Sequence, residues 1–484
     1  MQRRTKIVAT LGPSTDDPKM LDKIIEAGVD VVRVNFSHGT PEEHEERIER
    51  VRNRARAHGR QVGVLVDLQG PKIRIDCFEN GEVELEEGQT FILDTAHDPK
   101  KGNSERVGIT YKALPDDVER GDTLLLDDGR ITLWVNEVKG SEIICRVIAG
   151  GTLYDRKGIN KQGGGLSAPA LTQKDREDIR LAAKVQADYL AVSFVRHAED
   201  VNEARALLRE AGGEGGIVAK IERAESLKVI EEIIEASDVI MVARGDLGVE
   251  IGDAGLPPVQ KRLISQTRDM NKVVITATQM MESMIESHIP TRAEVFDVAN
   301  AVLDGTDAVM LSAETATGKY PDCAIEAMDR ICREAEKQRA VTRSHHRIDT
   351  RFEHIDEAIA MASMYTANHL GVKAIAALTE SGSTTRWMSR ISSGIPIYAL
   401  TRHVQTRRKV TLYRGVYPVS FDVTSQDHAE VNQDVIDELL RRGAVRDGDL
   451  VIITKGDLMG VHGGTNAMKI VRVGSLGEPN SVNG

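Results

Sequence analysis

Eight short apolar runs, rich in β-branched residues, alternate with amphipathic helical stretches over two separated parts of this chain. Alternation of this kind is typical of a parallel sheet with crossover helices. Eight strand and helix units within about 250 residues predict a (β/α)8 TIM barrel. The predicted strands span residues 5–11, 30–36, 61–67, 188–194, 216–221, 238–243, 272–278 and 307–311.

A different pattern interrupts the barrel between its third and fourth strands. In residues 70–171 the helical periodicity disappears, and residues 82–86, 123–126, 131–137 and 143–148 form alternating stretches separated by Gly and Asp turns. Such stretches predict a small antiparallel β domain. Its position in the chain inserts it where the active-site loops of a barrel emerge.

A third region follows the barrel. Residues 338–351 are polar and basic and predict a linker, and beyond them strand patterns at 372–378, 396–400, 416–421 and 450–454 alternate with helices. This alternation predicts a separate α/β domain. The predicted divisions are 1–70 and 170–340 for the barrel, 71–169 for the inserted domain, 341–352 for the linker, 353–476 for the C-terminal domain and 477–484 for a flexible tail.

The overall charge and the cysteines restrict the functions open to the chain. At 484 residues with a net charge of -12, it lacks the general basic face that nucleic acids and anionic membranes require, so we expect neither as a partner. The four cysteines show no metal-ligand spacing and are too few for a disulfide framework. With no apolar stretch of bilayer length and no export signal, the sequence predicts a cytoplasmic protein.

Polar residues are concentrated where the predicted barrel strands end, which is where barrels place their catalytic groups. For any single serine or threonine among them, a helix cap or turn hydrogen bond is an equal alternative. The residues are Arg33, Asn35, Ser37 and His38 after the second strand, Asp67 and Arg74 after the third, Ser193 after the fourth, Lys220 and Glu222 after the fifth, Arg244 and Asp246 after the sixth, Thr278 and Gln279 after the seventh, and Ser312 and Glu314 after the eighth.

Glu222 and Asp246 follow neighbouring strands and predict a site for a divalent metal and a multiply anionic substrate. Hard carboxylate oxygens suit Mg2+, whose remaining ligands come from substrate and water. The alternative is a salt-bridged pair with Lys220 or Arg244. The glycines that flank Asp246 allow its backbone N–H groups to approach an anion, although they are also compatible with a simple tight turn.

The second strand carries a polar set on one face. Arg33, Asn35 and Ser37 alternate with apolar residues, so the three side chains point towards the barrel mouth. Asn35 and Ser37 with Asp67 predict a monovalent-cation site, whereas Arg33 and His38 could contact a nucleotide phosphate. His38 could equally be a turn residue.

Taken together, these segments resemble the pyruvate kinase family over residues 3–473. The matching motifs lie at 6–13, 33–39, 219–222, 243–250, 276–284, 290–294 and 310–315. The resemblance implies phosphoryl transfer from phosphoenolpyruvate to ADP, giving pyruvate and ATP through an enolpyruvate that is then protonated. It also implies that the inserted domain is a small β-barrel lid, that the C-terminal α/β domain is regulatory, and that the enzyme is a homotetramer.

The resemblance further implies a role for each site residue. Mg2+, or Mn2+, is held by Glu222 and Asp246. The catalytic residues are Lys220, Arg74, Thr278, Ser312 and Glu314, of which the first two stabilise the phosphoryl group and the last three relay a proton to the enolate. The substrate-binding residues are Arg33, Lys220, Gly245, Asp246, Thr278 and Ser193. The nucleotide-binding residues are Arg33, Asn35, His38, Lys157 and Asp128.

One departure from the family pattern concerns potassium. Potassium-dependent members have an acidic residue where this chain has Lys72, and a threonine where it has Leu68. Because a fixed ammonium can replace a mobile cation, we expect Lys72 to substitute for K+ beside Asn35, Ser37 and Asp67. The resemblance, with this departure, therefore implies a bacterial-type, potassium-independent member of the family.

A Ser/Thr-rich turn in the C-terminal domain predicts an effector site. The turn follows a strand and precedes a helix, where a phosphate can bind, although a plain capping turn is the alternative. The carboxylate of Glu380 opposes a densely phosphorylated ligand, so we expect a sugar monophosphate or AMP rather than a bisphosphate. The effector residues are Thr379, Glu380, Ser381, Gly382, Ser383 and Thr384.

Two other classes of protein compete with the kinase. A Mg2+-dependent barrel lyase or aldolase acting on a 2-oxo acid would also hold an enolate on a Glu and Asp pair, but it needs no nucleotide lid. A non-catalytic metabolite-binding relative would have lost Lys220, Glu222, Asp246 or Thr278, and all four are present.

Overall fold

The computed structural model describes residues 2–338, 351–425, 427–456 and 464–475. The predicted linker at 341–352 lies outside the described residues except for its last two, and the predicted tail at 477–484 lies outside them entirely. None of the helices within these ranges is both long enough and apolar enough to cross a bilayer.

The described strands run from the N-terminus to the end of the C-terminal domain. In chain order they are β1 (Lys6–Thr10), β2 (Val31–Asn35), β3 (Gly63–Asp67), β4 (Glu82–Leu85), β5 (Thr90–Asp94), β6 (Arg106–Gly108), β7 (Thr123–Leu126), β8 (Ile131–Lys139), β9 (Glu142–Ala149), β10 (Gly151–Tyr154), β11 (Ile159–Lys161), β12 (Tyr189–Val192), β13 (Gly216–Ile221), β14 (Val239–Ala243), β15 (Val273–Ala277), β16 (Ala308–Leu311), β17 (Ala374–Leu378), β18 (Ile397–Thr401), β19 (Val416–Ser420), β20 (Leu450–Lys455) and β21 (Ala467–Arg472).

The described α-helices separate most of these strands. They are α1 (Pro18–Ala27), α2 (Pro41–Ala57), α3 (Leu114–Asp117), α4 (Gln173–Lys184), α5 (Ala198–Glu210), α6 (Ile230–Ala236), α7 (Arg244–Ile251), α8 (Leu256–Asp269), α9 (Arg292–Asp304), α10 (Ala313–Ala316), α11 (Pro321–Ala335), α12 (Ile355–Leu370), α13 (Ser383–Ser389), α14 (Val404–Lys409) and α15 (His428–Arg441).

Eight parallel strands close into a barrel, as the sequence predicts. Their order around the barrel is β1-β16-β15-β14-β13-β12-β3-β2. Each of the eight predicted runs contains one of them, with ends that differ by no more than two residues. The strands carry apolar residues almost continuously because helices cover their outer face while side chains fill the barrel interior.

Capping signals in the sequence fix where several barrel helices begin. Thr40 caps α2 by accepting the N–H of Glu43, whose carboxylate accepts the N–H of Thr40 in return. Thr172 and Asp175 form the same reciprocal box at the start of α4. These boxes satisfy N–H groups that have no partner within the helix.

The inserted domain has its own apolar core and more strands than the sequence pattern reveals. Its main sheet has the order β11-β7-β8-β9-β5-β6, and β10 pairs with β4 in a separate two-stranded sheet. The four predicted strands are β4, β7, β8 and β9. The strands β5, β6, β10 and β11, of three to five residues each, were not predicted.

The C-terminal domain packs against the amino-terminal end of the barrel. Its sheet has the order β19-β18-β17-β20-β21, in which the four predicted strands are parallel and β21, which was not predicted, is antiparallel. One apolar cluster contains barrel residues such as Leu65 and Tyr189 together with Met364, Ile375 and Val416 of this domain. The two domains therefore share a continuous core.

Four aspartates lie just before the barrel strands β2, β12, β14 and β16. Each one forms a pair of hydrogen bonds with the barrel strand that precedes it in the sequence. Each donates its backbone N–H to the carbonyl of one residue and accepts that residue's N–H on its carboxylate, with N···Oδ2 distances of 2.8 to 3.0 Å. We call them the clasp aspartates. The pairs are Asp30 with Ile7, Asp188 with Val64, Asp238 with Ile217 and Asp307 with Val274.

Candidate active site

Lys220 is the centre of a buried charged network at the carboxyl-terminal end of the barrel. Its Nζ lies 2.9 Å from Glu222 Oε1 and 3.2 Å from Asp67 Oδ1, and it donates to Ser193 Oγ at 2.7 Å. Burial opposes the charge on the amine, but the carboxylates of Asp67 and Glu222 outweigh it and raise the pKa of Lys220 above its ordinary value. Lys220 is therefore held as an ammonium ion.

Asp67 joins the second strand to this network. Its Oδ2 accepts from Nε of Arg33 at 2.6 Å, and Nη1 of Arg33 donates to Thr10 Oγ1 at 3.1 Å. Burial alone would raise the pKa of Asp67, but Lys220 and Arg33 lower it below its ordinary value. The carboxylate is thus shared between two cations. Thr10, which holds Arg33 in place, was not predicted as a site residue.

Glu222 has the environment of a metal-binding carboxylate. Besides its contact with Lys220, it accepts the N–H of Phe194 at 2.7 Å. Burial raises the pKa of Glu222; Lys220 opposes this rise, and the nearby carboxylate of Asp246 adds to it. A buried carboxylate and a partly exposed one that repel each other are a suitable donor set for Mg2+, which commonly takes one or two protein carboxylates and completes its shell with substrate and water.

Asp246 lies in the first turn of α7, just beyond β14. Its Oδ1 is 4.0 Å from Nζ of Lys72, which follows β3 at the start of the inserted domain. Among the described residues, Asp246 is the acidic residue with which Lys72 forms an ion pair. The predicted neighbours Asn35, Ser37 and Asp67 instead have other contacts: Asn35 Oδ1 accepts the N–H of Ser37 at 3.1 Å, and Asp67 binds Arg33 and Lys220.

Thr278 connects the seventh strand to the glycine turn after the sixth. Its Oγ1 accepts the N–H of Gly245 at 2.8 Å and donates to the carbonyl of Ala277 at 2.6 Å. Its φ of 66° and the φ of 53° at Gln279 are left-handed, a conformation that a β-branched residue such as threonine rarely adopts. Strain of this kind persists only where surrounding contacts enforce it, and it concentrates at functional sites.

Arg244 is buried and enforces that conformation. Its Nη1 lies 2.7 Å from Asp297 Oδ1, and its guanidinium also donates to the carbonyls of Ala277, Thr278 and Gln279. Arg244 thus positions the backbone that carries Thr278. The methionines at 280, 281 and 284 that follow are fully buried and serve as packing.

Ser312 and Glu314 lie together after the eighth strand. The Glu314 carboxylate accepts the N–H groups of Met281 at 3.1 Å and of Ser312 at 2.7 Å. Burial raises the pKa of Glu314 although these two hydrogen bonds oppose the rise. A carboxyl group of raised pKa at the barrel mouth is suited to hold or pass on a proton.

The residues predicted to bind nucleotide are distributed between the second strand and the inserted domain. His38 is exposed in the turn that precedes α2. Lys157 forms its ion pair with Asp127, at 2.7 Å, rather than with its neighbour Asp128. Both aspartates have left-handed φ angles, a turn geometry that the sequence did not indicate and that decides which carboxylate faces Lys157.

Arg74 lies on the inserted domain side of the cleft. Its Nη1 donates to the carbonyl of Arg156 at 3.0 Å, and its backbone bridges to Gly158. The guanidinium is therefore tied to the same segment that carries Lys157, so Arg74 and Lys157 belong to the lid side, while Lys220 and Glu222 belong to the barrel side.

The predicted effector turn has well-defined hydrogen bonds. Thr379 Oγ1 accepts the N–H of Gly382 at 2.9 Å, and Glu380 pairs with His403. Ser381 Oγ accepts the N–H of Ser383 at 3.4 Å, whereas Thr384 is buried and bonds to Thr465 Oγ1 at 2.8 Å. The turn thus precedes α13 as predicted, but Thr384 faces the domain interior and is not available to a ligand.

The site lies at the mouth of a closed parallel barrel and is covered by an inserted domain. It combines an ammonium ion, two carboxylates suited to a metal and a hydroxyl residue with a strained backbone. Together these features define a class of barrel enzyme. Members of this class bind a multiply anionic substrate on a divalent metal and use a fixed cation to stabilise charge that develops in the reaction.

Comparison with known proteins identifies the family. A family model described as "Pyruvate kinase, barrel domain" matches residues 2–325, and one described as "Pyruvate kinase, alpha/beta domain" matches residues 357–471. The chain is 55% identical to pyruvate kinase II of Salmonella typhimurium over 475 residues, which cover 97% of this chain and 99% of the relative. It is 54% identical to pyruvate kinase of Haemophilus influenzae over 458 residues, covering 94% of this chain and 96% of the relative.

The fold matches as well as the sequence. A solved pyruvate kinase from Cryptosporidium parvum superposes with a TM-score of 0.89 at 37% identity, covering 97% of this chain and 96% of that chain. The chain belongs to the pyruvate kinase family. It transfers a phosphoryl group from phosphoenolpyruvate to ADP in the last step of glycolysis, so the lyase and the non-catalytic alternatives are no longer needed.

Proposed function

We propose that Lys220 stabilises the phosphoryl group during its transfer. The observation that carries this proposal is the burial of its ammonium among Glu222, Asp67 and Ser193, with a raised pKa that keeps it charged. In a loose transition state the charge spreads over the equatorial oxygens of the phosphoryl group, so a fixed cation beside them lowers the barrier. Arg74, from the lid side, supplies a second cation to the same group.

We propose that Glu222 and Asp246 hold the divalent metal, Mg2+ or Mn2+, that the family uses. When bound, the metal polarises the substrate oxygens and neutralises part of their charge. A hydrogen bond from the Phe194 N–H holds the carboxylate of Glu222 in position, and Asp246 lies in the first turn of α7. Substrate and water supply the remaining ligands, which is the usual arrangement for Mg2+.

The substrate carboxylate is proposed to bind at the amides of Gly245 and Asp246, where the Thr278 hydroxyl orients it. The Gly245 N–H now donates to Thr278 Oγ1 at 2.8 Å, and binding of the carboxylate exchanges this internal hydrogen bond for bonds to the substrate. Ser193, bonded to Lys220, and Arg33, bonded to Asp67, line the other side of the substrate.

The proton that the enolate takes up is proposed to pass from Glu314 and Ser312 through water to Thr278, which delivers it to the substrate. The raised pKa of Glu314, caused by its burial, favours a carboxyl group that retains a proton.

The nucleotide is proposed to contact Arg33, Asn35 and His38 from the barrel, and Lys157 and Asp128 from the lid. Asp127 joins this group because it pairs with Lys157.

Two reactions separate these roles experimentally. Turnover of phosphoenolpyruvate with ADP, coupled to pyruvate reduction, measures phosphoryl transfer, and exchange of the pyruvate methyl hydrogens with deuterated solvent measures enolate protonation. Lys220→Met is expected to abolish the first. Thr278→Val is expected to reduce the second. Equal loss of both reactions in both variants would contradict the division of roles.

We propose that Lys72 makes the enzyme independent of K+, as the sequence departure suggests. Its pairing with Asp246 at 4.0 Å means that Lys72 must turn from the metal-binding carboxylate when it acts beside Asp67. Turnover in tetramethylammonium buffer with and without KCl tests this directly. We expect less than twofold stimulation, and a large stimulation by KCl rejects the proposal.

We propose that a sugar monophosphate or AMP binds at residues 379–383 and activates the enzyme. The hydroxyl and backbone N–H groups of this turn, which now bond to one another, can be exchanged to a phosphate, while Glu380 limits the negative charge that a ligand can carry. Calorimetric titration with ribose 5-phosphate, glucose 6-phosphate, AMP and fructose 1,6-bisphosphate ranks the candidates. Tightest binding by the bisphosphate would overturn the proposal.

We propose a homotetramer, and two exposed apolar faces in different domains support it. On and just before α9 the exposed side chains are Ile289, Phe296 and Leu303, with Phe296 76% exposed; on α12 they are Ile355, Tyr365 and Leu370. If each face pairs with the same face of another copy, the two kinds of interface together build a tetramer with D2 symmetry. Light scattering is expected to give a tetramer for the native chain and for Ile148→Glu on the lid, and dimers for Phe296→Glu and for Tyr365→Glu.

We also propose a cytoplasmic location, which agrees with the free thiols of all four cysteines.

We propose that the inserted domain is bounded by residues 70 and 170, which the position of the inserted strands between β3 and α4 supports. Limited proteolysis followed by mass spectrometry of the fragments tests the boundaries.

A further inference from the structure

Each clasp aspartate at the amino-terminal end of the barrel has an arginine partner, but these arginines come from two different domains. Two pairs lie within the barrel domain, and the other two use an arginine of the C-terminal domain. The barrel pairs are Asp30 with Arg3 at 2.7 Å and Asp238 with Arg205 at 2.8 Å. The interdomain pairs are Asp188 with Arg408 at 3.0 Å and Asp307 with Arg390, whose Nη1 to Oδ2 distance is 2.9 Å.

The interdomain pairs are the more deeply buried ones. The side chains of Asp188 and Asp307 are 3% and 1% exposed, against 13% and 25% for Asp30 and Asp238. A buried carboxylate without its cation is strongly unfavourable. The C-terminal domain therefore supplies the charges that allow these two aspartates to clasp their strands.

The two strands that begin at these aspartates end in the active site. β12 is followed by Ser193, which accepts the hydrogen bond of Lys220, and β16 is followed by Ser312 and Glu314. Each strand has only four residues, so about 13 Å of extended backbone joins the clasp to the site. We expect a movement of the clasp to shift the residues at the other end of so short a strand.

The helices that carry the two arginines begin at the proposed effector turn. Arg390 directly follows α13, which starts directly after Gly382. Arg408 lies in the last turn of α14, whose preceding residue His403 pairs with Glu380 and whose Thr406 hydroxyl donates to the Glu380 carbonyl at 2.6 Å. One short helix thus joins the turn to each interdomain clasp.

We propose that Arg390 and Arg408 are positioning residues through which the C-terminal domain sets the barrel strands that carry Ser193 and Glu314. Through the same two contacts they transmit the binding of an effector to the active site. The second part rests on the effector site proposed above, whereas the first part does not depend on it.

Neutralising both partners of a pair tests the proposal without leaving a buried charge. The variants Asp188→Asn/Arg408→Gln and Asp307→Asn/Arg390→Gln remove the interdomain ion pairs, while each asparagine can still accept the backbone N–H of its clasp. Asp238→Asn/Arg205→Gln is the control, because it removes a clasp pair of the same residue types that lies within the barrel domain.

The first measurement needs no effector. Amide hydrogen exchange reports on the N–H groups of Phe194 and Met281, which bond to Glu222 and Glu314. We expect the exchange of Phe194 to accelerate at least fivefold in the Asp188 variant and that of Met281 in the Asp307 variant, with less than twofold change of either in the control. Exchange rates equal to those of the control would overturn the positioning role.

The second measurement uses ribose 5-phosphate as the probe. In the native enzyme we expect it to lower the KM for phosphoenolpyruvate at least fivefold. In the interdomain variants the KM should change less than twofold, although calorimetry still detects binding, and the control should keep the full change. A retained KM change in the interdomain variants overturns the coupling. Absence of binding to the native enzyme rejects this effector, while the exchange experiment still decides the positioning role.

A variant that retains the positive charge keeps the proposal testable if the double variants do not fold. Arg408→Lys keeps the ion pair but not the geometry of the guanidinium. It is expected to give a Phe194 exchange rate between those of the native enzyme and of Asp188→Asn/Arg408→Gln. A native exchange rate in Arg408→Lys, together with unfolded double variants, would reject the role of Arg408.

Discussion

Lys220 and Glu222 are two positions apart at the end of β13, and their side chains meet with Nζ 2.9 Å from Oε1. Successive side chains of a strand point to opposite faces, so residues i and i+2 share a face. The alternation places the ammonium and the carboxylate together inside the barrel mouth, where both are almost completely buried. One short stretch of sequence thus provides both the cation for the phosphoryl group and a ligand for the metal.

Replacing Lys220 by methionine should lower kcat about 1,000-fold, the loss typical of removing one preorganised stabilising group. The melting temperature should also fall because Asp67 and Glu222 lose their shared cation. Steady-state kinetics with phosphoenolpyruvate and ADP measures the effect. Lys228→Met, which changes an exposed lysine just beyond the same strand, is the control and should be close to native. A kcat within tenfold of native in Lys220→Met contradicts the role.

Glu222→Gln and Asp246→Asn should each weaken Mn2+ binding at least 10-fold, the loss that even outer-shell partners of a metal produce. Burial raises the pKa of Glu222 and the carboxylate of Asp246 adds to the rise, so neutralising either carboxylate removes the repulsion between them. Paramagnetic resonance of free Mn2+ measures binding without turnover. Glu225→Gln, three positions beyond Glu222, should bind Mn2+ as the native protein does. Native affinity in both site variants argues against a metal at this pair.

The barrel and the positions of its strand-end residues could be predicted from the sequence because both follow from local periodicity. Long apolar runs indicate buried parallel strands, and the alternation of Arg33, Asn35 and Ser37 identifies the face that each side chain takes. The strand ends therefore differ from the prediction by no more than two residues.

Contacts between segments distant in the chain could not be predicted in this way. The pairing of Lys72 with Asp246 depends on how the inserted domain meets the barrel, and the pairing of Lys157 with Asp127 depends on left-handed turn residues. Neither leaves a periodic signal. The clasp aspartates were visible as the first residues of predicted strands, but nothing in the sequence indicated that two of their arginines lie in another domain.

Glu250 should make the stability of the native enzyme depend on pH. Burial raises the pKa of Glu250 from 4.5 to about 7, an effect that the nearby Glu225 reinforces although the Ala224 N–H opposes it. Because the folded pKa is raised, the contribution of Glu250 to stability is fully present below pH 4.5 and is lost as the pH rises through about 7. The total loss is about 3 kcal/mol, because each pKa unit between 4.5 and about 7 corresponds to about 1.4 kcal/mol.

Glu250→Gln imitates the protonated side chain and should remove this dependence. Calorimetry is expected to give equal melting temperatures for the native and variant proteins near the lower pKa value, and a higher one for the variant above about pH 7. The exposed Glu231→Gln is the control and should follow the native protein throughout. A variant that stays equal to the native protein at both pH values shows that Glu250 does not titrate as described.

Thr278→Val should reduce hydrogen exchange at the pyruvate methyl group about 100-fold, within the range typical of a positioned proton-transfer group. Valine retains the shape but removes the hydroxyl that bonds to the Gly245 N–H. Thr278→Ser keeps the hydroxyl and should retain most of the exchange activity. Proton NMR of pyruvate in deuterated solvent measures both variants. If serine and valine have equal effects, the methyl group rather than the hydroxyl is what matters.

Glu380→Gln should shift the preference of the C-terminal domain towards ligands with more phosphate groups. Glu380 pairs with His403 at the proposed effector turn, and its negative charge repels a second phosphate that approaches the same loop. Removing a partly exposed charge is worth about 1 kcal/mol, so the affinity for fructose 1,6-bisphosphate relative to ribose 5-phosphate should rise about fivefold. Calorimetric titration of both ligands measures the ratio. Glu430→Gln, an exposed carboxylate at the start of α15, should leave it unchanged. A ratio that stays constant in Glu380→Gln means that Glu380 does not set the charge tolerance of this turn.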